Sequence, residues 1–481
     1  LSAAPPRLVL PAMGSARSPA APQEPAVVAV GESAYGYGST PAEPGDRYAG
    51  DTSQAPALAS AAPAPTELAG PTVVPSAVPP ATEVVAALPT RLTSPKSTEP
   101  IELGTYLDGK NVLLRFDPEA GAWFRMTPRA TLHPDDRLLA LPAFFPKLTL
   151  ASGLHVKLVG GTMIMLGPAT AGSNEPAIGV DYGKVVIVNT ANDESGLKLT
   201  IAGETADVRL GRNATLAIEV MPNYEPGRDP RKSPAPVVAA LFARDGEVVW
   251  NDATGSNNIP TPGHWTIESG VPSTVSADVT FPDWIDQEPV EQRSEQLFGA
   301  PAVETALDPT RPVEEQLLEL YQSSRRREVK SLVARSSVYA GLFVPFVEAL
   351  RDSDQKSVWK MHIDTLRAAM ALGPESAEKI HQTLVEQRGK AAAADLFEML
   401  CGYNAEQIGT PEEFRDGLAT QLVDWMENDS LDYRVLAVQD MGEITGMRLM
   451  PNPAGAPTER ARGIRLWRQR LKAGEVAPVS P

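Results

Sequence analysis

The feature that most constrains this chain is the spacing of its apolar residues, which changes twice along its length. Through residue 100 no spacing recurs; across 101–281 apolar and polar residues alternate; across 312–471 apolar residues return every three to four positions. Alternation sets one group of side chains on one face of a strand, whereas a spacing near 3.6 gathers them on one face of a helix. The order predicts a multidomain chain, β then α. A disordered Ala/Pro-rich linker is expected over 1–98, an antiparallel β-sandwich or jelly-roll-like domain over 99–285, and an acidic interdomain linker over 286–312. An antiparallel, solenoid-like α-helical domain over 313–475 and a tail over 476–481 complete the order. Each folded region is long enough to bury a core of its own, so the two are expected to be separable.

Composition supports the first boundary. Eighteen of the 46 prolines fall within the first 100 residues. Stretches such as Ala61-Ala62-Pro63-Ala64-Pro65 lack backbone donors and bias their neighbours toward extended conformations, so neither helix nor sheet propagates through them. The net charge of −17 is shared among all the segments, which argues against a broad electrostatic surface for nucleic acid. Cys401 is the single cysteine, which rules out an intramolecular disulfide and a multi-cysteine zinc or iron–sulfur site. No apolar run reaches the ~18 residues of a membrane-spanning helix. The sequence starts at Leu1 with no signal-peptide pattern, so the protein is expected either to be soluble throughout or to have a membrane anchor upstream of this sequence.

Local signals mark the elements. His155-Val156-Lys157-Leu158-Val159 and Thr162-Met163-Ile164-Met165-Leu166 flank Gly160-Gly161 and predict a hairpin with a two-residue turn. Further strands are expected over 183–190, 197–201, 206–210, 215–221, 237–242, 248–251 and 276–281. Thr410-Pro411-Glu412-Glu413 combines an N-cap, a proline at the first helical position and a capping-box glutamate. Phe414, Leu418, Leu422, Trp425 and Met426 then share one apolar face. Asp429 or Ser430 caps the next helix, which Gly446 stops, and Ile464, Trp467 and Leu471 mark a last one ending before Gly474.

The sequence lacks the common catalytic and nucleotide-binding motifs. There is no G-x-S-x-G elbow and no H-E-x-x-H pair, and Gly36-Tyr37-Gly38 lacks the third glycine of a dinucleotide fingerprint. The stretch 179–184 is one residue short of a phosphate loop and has Val185 where magnesium needs a hydroxyl, so it reads as a turn feeding a strand. His133, His155, His264, His362 and His381 are dispersed without ligand spacing. Asp135-Asp136 could help hold a hard cation, but after Pro134 it reads as a turn before a strand. Arg325-Arg326-Arg327 is expected within a helix among acidic neighbours, as a solvated face. Arg460, Arg462, Arg465, Arg468, Arg470 and Lys472 surround the last apolar face and read as its polar side. No catalytic, cofactor-binding or metal-ligating residue is assigned, no cofactor is expected, and the chain is expected not to be an enzyme.

One stretch carries a family pattern. Gly121-Ala122-Trp123-Phe124, then Asp136-Arg137-Leu138, Lys147-Leu148-Thr149-Leu150, Ser152-Gly153-Leu154 and the strand His155-Val156-Lys157-Leu158 resemble the FecR-type domain of bacterial cell-surface signalling proteins. Asp135 stands where that family usually has glycine. The later run Asp432-Tyr433-Arg434-Val435-Leu436-Ala437, with Glu443-Ile444-Thr445-Gly446, Trp467 and Gly474, is similar to a helical module found beside FecR-like domains in planctomycete proteins. The resemblance implies an extracytoplasmic, periplasmic and membrane-tethered binding or signalling protein that contacts a protein or cell-envelope partner and no nucleic acid. It transfers no site residues. Two other classes stay open: a structural envelope or surface-assembly component, which deletion without regulatory effect would favour, and an enzyme of unrecognised type, which a polar cleft with converging carboxylates would favour.

Overall fold

The computed structural model of the chain describes residues 101–167, 175–253, 255–268, 271–272, 275–276, 279–286, 293–447 and 451–479. All of them belong to one compact unit. The expected linker over 1–98 lies outside the described residues. Beyond it the chain is β and then α, as the periodicity predicts.

The strands form one hydrogen-bonded network. Its main path runs, in order, through Gly255–Ile259, Val248–Asp252, Glu204–Leu210, Ser195–Ile201, Ala177–Asn189, Thr215–Pro222, Val237–Asp245, Gly263–Glu268 and Val271–Pro272. Every pairing is antiparallel except that of Ala177–Val180 with Lys198–Ile201. The long strand Leu154–Gly167 joins this path through Ala177–Asn189 and carries Lys147–Leu150 on its first half and Arg137–Ala140 on its second. Alternate residues turn inward, so Leu154, Val156, Leu158, Ile164 and Leu166 enter the core of the strand region together with Leu197, Leu199 and Ile201.

The expected hairpin at Gly160-Gly161 is corrected. The chain does not reverse there, and Leu154–Gly167 is one continuous strand with a register shift against its neighbour between Val159 and Met163. Gly161 has φ 80°, which here produces a bulge. The Thr162 hydroxyl fills it, donating to the Val159 carbonyl and accepting from the Lys184 amide at 2.8 Å. The glycines also admit close neighbours. A Cβ on Gly160 would lie 2.8 Å from the Ala143 nitrogen, and one on Gly161 2.8 Å from the Tyr339 hydroxyl.

Ser276 makes an isolated bridge to His264, so the strand expected over 276–281 is largely absent, residues 277–278 lying outside those described. The helices begin earlier than expected. Arg293–Phe298 and Ala300–Ala306 occupy the stretch read as an acidic linker, and Val303 and Leu307 are buried. Val313–Ser323, Arg327–Tyr339, Trp359–Ala371, Pro374–Arg388, Lys390–Cys401, Leu418–Glu427, Leu431–Thr445 and Pro457–Ala473 are the longer members of the array. The Thr410/Glu413 capping box forms as expected, but Gly417 splits the expected single helix into Pro411–Asp416 and Leu418–Glu427. Gly446 and Gly474, both left-handed, end the last two helices.

The expectation of two separate cores is corrected too. Val112, Leu114, Trp123, Leu141, Phe144 and Tyr182 from the strand region share one apolar cluster with the helices. Polar contacts tighten the same boundary. Arg125 donates to the Glu304 and Leu307 carbonyls at 2.5 and 3.1 Å, and Gly227 N–H donates to the Cys401 carbonyl at 2.7 Å. Strand alternation does not foretell this, because it identifies which residues turn away from water without saying what covers them.

Candidate functional site: a groove between sheet and helices

A groove of about 1340 Å³ runs between the strand region and the helices. Its sheet side is built by register: Arg137 lies opposite Met165, Met165 opposite Gly179, and Gly179 opposite Thr200. These positions turn outward because Leu138, Ile164, Leu166, Ile178 and Val180 between them turn into the core. The helical side comes from the start of Val313–Ser323, the end of Arg327–Tyr339 and the turn at Leu372–Gly373 that precedes Pro374–Arg388.

Arg137 is the most defined group on the sheet side. Its Nε donates to the Met163 Sδ at 3.2 Å, and its guanidinium carbon lies 5.9 Å from both the Phe116 and Trp123 ring centroids. Those rings meet edge to face at 5.3 Å. Guanidinium groups gain from aromatic faces, so Arg137 is positioned without an ion pair among the described residues.

Among the carboxylates that line the groove, Asp181 and Glu314 are the two whose pKa burial raises. Asp181 sits between the buried Val180 and the buried Tyr182 on the strand, so its tip reaches solvent while groove walls surround it. That crowding raises its pKa above the ordinary carboxylate value, and the charge of Arg137 opposes the rise. Glu314 accepts from the Trp123 N–H at 3.0 Å through Oε1, and its buried Oε2 has no partner among the described residues. Burial raises its pKa as well, against the opposing backbone hydrogen bonds. Tyr182 and Tyr339, 5.8 Å between ring centres, close the deep end, and burial pushes both phenols up. Lys379 at the helical rim is taken by Glu375 at 2.9 Å. Met165 and Leu372 are 44% and 39% exposed, unusual for large apolar side chains, and both face the groove.

The residues weighed from sequence fall in different places. Asp135 has φ 67°, a left-handed conformation that glycine adopts without cost and aspartate tolerates; it sits on the groove rim. Asp136 makes the turn, accepting from the His133 N–H at 2.8 Å. The stretch 179–184 is part of the strand Ala177–Asn189, so its expected turn is absent, and its first residues floor the groove. The five histidines are not brought together: His264 stacks on Phe242, His381 meets Phe397, and His362 is buried among helices. Among the described residues no three His, Cys, Asp or Glu side chains cluster in a way that could hold a metal. Arg325-Arg326-Arg327 lies at a helix junction, with only Arg327 inside the helix, which corrects its expected place. Arg468 is held by Asp424 and Glu427 at 2.8 and 2.7 Å, as a polar helix face would be.

No protein-family model matches the chain, and no curated protein does. Among solved structures, two crystal structures of a candidate anti-sigma factor from Parabacteroides distasonis, at 1.65 and 2.50 Å resolution, are similar to 34% of this chain at 15% identity. Their TM-scores are 0.21 and 0.22, and this chain spans 65% and 64% of their lengths, just under two thirds. A likeness of that size leaves function to be argued from the groove.

Sequence reasoning missed Arg137, Asp181 and Glu314 as a set. Asp181 carried a signal, a charge inside a strand whose neighbours on both sides are apolar. Nothing in the sequence brings Glu314 to Trp123, 191 positions earlier.

Proposed function

We propose that this chain is a non-catalytic binding protein of an extracytoplasmic, FecR-like signalling system, held at a membrane, and that the groove is its recognition surface. One observation carries the reading: Arg137 is fixed in an open groove with its charge unpaired among the described residues. A guanidinium that only completed the fold would be expected to end on a carboxylate or carbonyl, as Arg367 and Arg434 do. The stretch that resembles the FecR-type domain also supplies Trp123, Arg137 and Met165 to the groove. The exposed Met165 and Leu372 add apolar contact on facing walls, an arrangement that favours a partner over bulk water.

A photoreactive phenylalanine analogue placed at Met165 or at Leu372, in cells producing the full chain, tests this. Both positions should yield an adduct with the same discrete polypeptide, and Leu466, exposed on the last helix, should not. Absence of an adduct from both groove positions would overturn the reading.

A further inference from the structure

We infer that the groove reads an extended polypeptide segment through two neighbouring charges, a carboxylate that takes the guanidinium of Arg137 and a cation that faces Asp181. This deepens the binding reading above and rests on it.

Arg137 and Asp181 are opposite charges in one groove that do not pair with each other. Arg137 affects the ionisation of Asp181, so each lies within the field of the other, yet they form no ion pair. The reason is mechanical. Arg137 is tied to Met163 Sδ and to two rings, and Asp181 sits at the register shift between the pairs Met163–Tyr182 and Ile164–Val180, held in place by its paired neighbours Val180 and Tyr182. The tie to Met163 uses Nε and leaves both Nη groups without partners among the described residues. A planar guanidinium held this way loses little freedom when it receives a carboxylate through two parallel hydrogen bonds.

The rest of the groove selects against a ligand of one sign. Asp135, Asp181, Glu314, Glu315 and Glu375 would repel a purely acidic segment, and with Lys379 taken by Glu375 it is Arg137 that opposes a purely basic one. A segment with adjacent charges of both signs meets each group with its complement. The dimensions favour polypeptide over a small molecule: about 1340 Å³ exceeds the ~300–1,000 Å³ of small-molecule pockets. Met165, an unbranched and adaptable side chain, lies directly between the strands of Arg137 and Asp181, where apolar residues of such a segment would rest.

A random peptide library with both ends blocked, panned against the full chain, is the test. Enriched peptides should carry Asp or Glu within about two positions of Lys or Arg. In the best of them, Glu→Gln or Asp→Asn should weaken binding about tenfold, the worth of a charge-assisted hydrogen bond, and should cost nothing further against Arg137→Gln. Replacing the peptide cation by Gln should weaken binding to the native chain and cost nothing further against Asp181→Asn. Both positions are exposed, and unchanged melting of the variants confirms folding; the peptide-side substitutions decide the matter on native protein in any case. A second library with free C-termini distinguishes a side-chain carboxylate from a terminal one, and either source supports the inference. Enrichment without paired charges, or a carboxylate effect that persists in Arg137→Gln, would overturn it while leaving the binding reading intact. No enrichment in either library, together with no adduct at Met165 or Leu372, would overturn both.

Discussion

His362 is wholly buried in the helical core, its Nε2 3.2 Å from Gln355 Oε1, its ring edge-on to Phe346, and its Nδ1 without a partner among the described residues. Burial, with the charge of Arg335 adding to it, lowers its pKa to about 3. Unfolded histidine titrates near 6.5. Above that value neither state is protonated and the group contributes nothing to the pH dependence. As pH falls from about 6.5 toward 3, the unfolded chain takes up a proton that the folded one refuses, and stability is lost. His362→Gln, which keeps a donor for Gln355 and removes the titration, should flatten stability against pH in that window; an unchanged slope in denaturant melts would refute the assignment. Cys401 makes a parallel case. Burial pushes its thiol up to about 12, so alkylation at pH 8 should be slow in the folded protein and accelerate only on unfolding. Fast labelling of the native chain would place the thiol in an open environment. Neither environment is legible in the sequence, where both residues are isolated polar or sulfur-bearing positions without a motif.

At the scale of elements, a connection between two strands is bound to the helices by hydrogen bonds and a ring–guanidinium contact. Residues 223–236 leave the sheet after Thr215–Pro222 and return at Val237–Asp245. On the way the Tyr224 hydroxyl donates to the Cys401 carbonyl at 2.9 Å, and its ring lies 5.2 Å from the Arg367 guanidinium. Arg367 in turn reaches Asp440 at 2.7 Å, Glu443 at 2.8 Å and the Leu400 carbonyl at 3.2 Å. Burial works against the charge on Arg367, and Asp440, Tyr224 and Glu443 more than offset it. Arg367→Met should cost on the order of 3–5 kcal/mol, because it strands the buried Asp440 carboxylate; adding Asp440→Leu should return part of that loss. Denaturant melts of the single and paired variants measure the difference, and a single variant as stable as the native chain would refute it. The helix that carries Asp440 and Glu443 was legible from its apolar spacing and its end at Gly446, whereas those that carry Arg367 and Leu400 were legible only as part of a broad helical stretch. The network itself was not, since Arg367 and Asp440 are 73 positions apart and periodicity records only which face a residue occupies.

At the scale of the whole molecule, the change of periodicity located the boundary between strands and helices but gave no measure of how firmly it is closed. The apolar set of each strand is consistent with one sheet folding on itself or with a second layer of any kind. Here the outward residues Trp123, Leu141, Phe144 and Tyr182 are covered by helices, and Tyr339 presses onto the bulge at Gly161. Two folded regions with a common apolar core unfold together, because separating them exposes to water surface that neither can cover alone. The full chain should therefore show one cooperative transition, with near-ultraviolet signals of tryptophans in both regions changing at the same denaturant concentration. Trp250 and Trp265 report on the strand core and Trp359 and Trp467 on the helices. Trp467, 1% exposed, should cost about 3–5 kcal/mol on truncation to alanine, and that loss should shift the strand signals together with the helical ones. Residues 313–475 expressed alone should be less stable than in the full chain and should bind hydrophobic dyes on the face that the strands had covered. Two separated transitions, with Trp467→Ala moving only the helical one, would show that the shared core does not couple the regions.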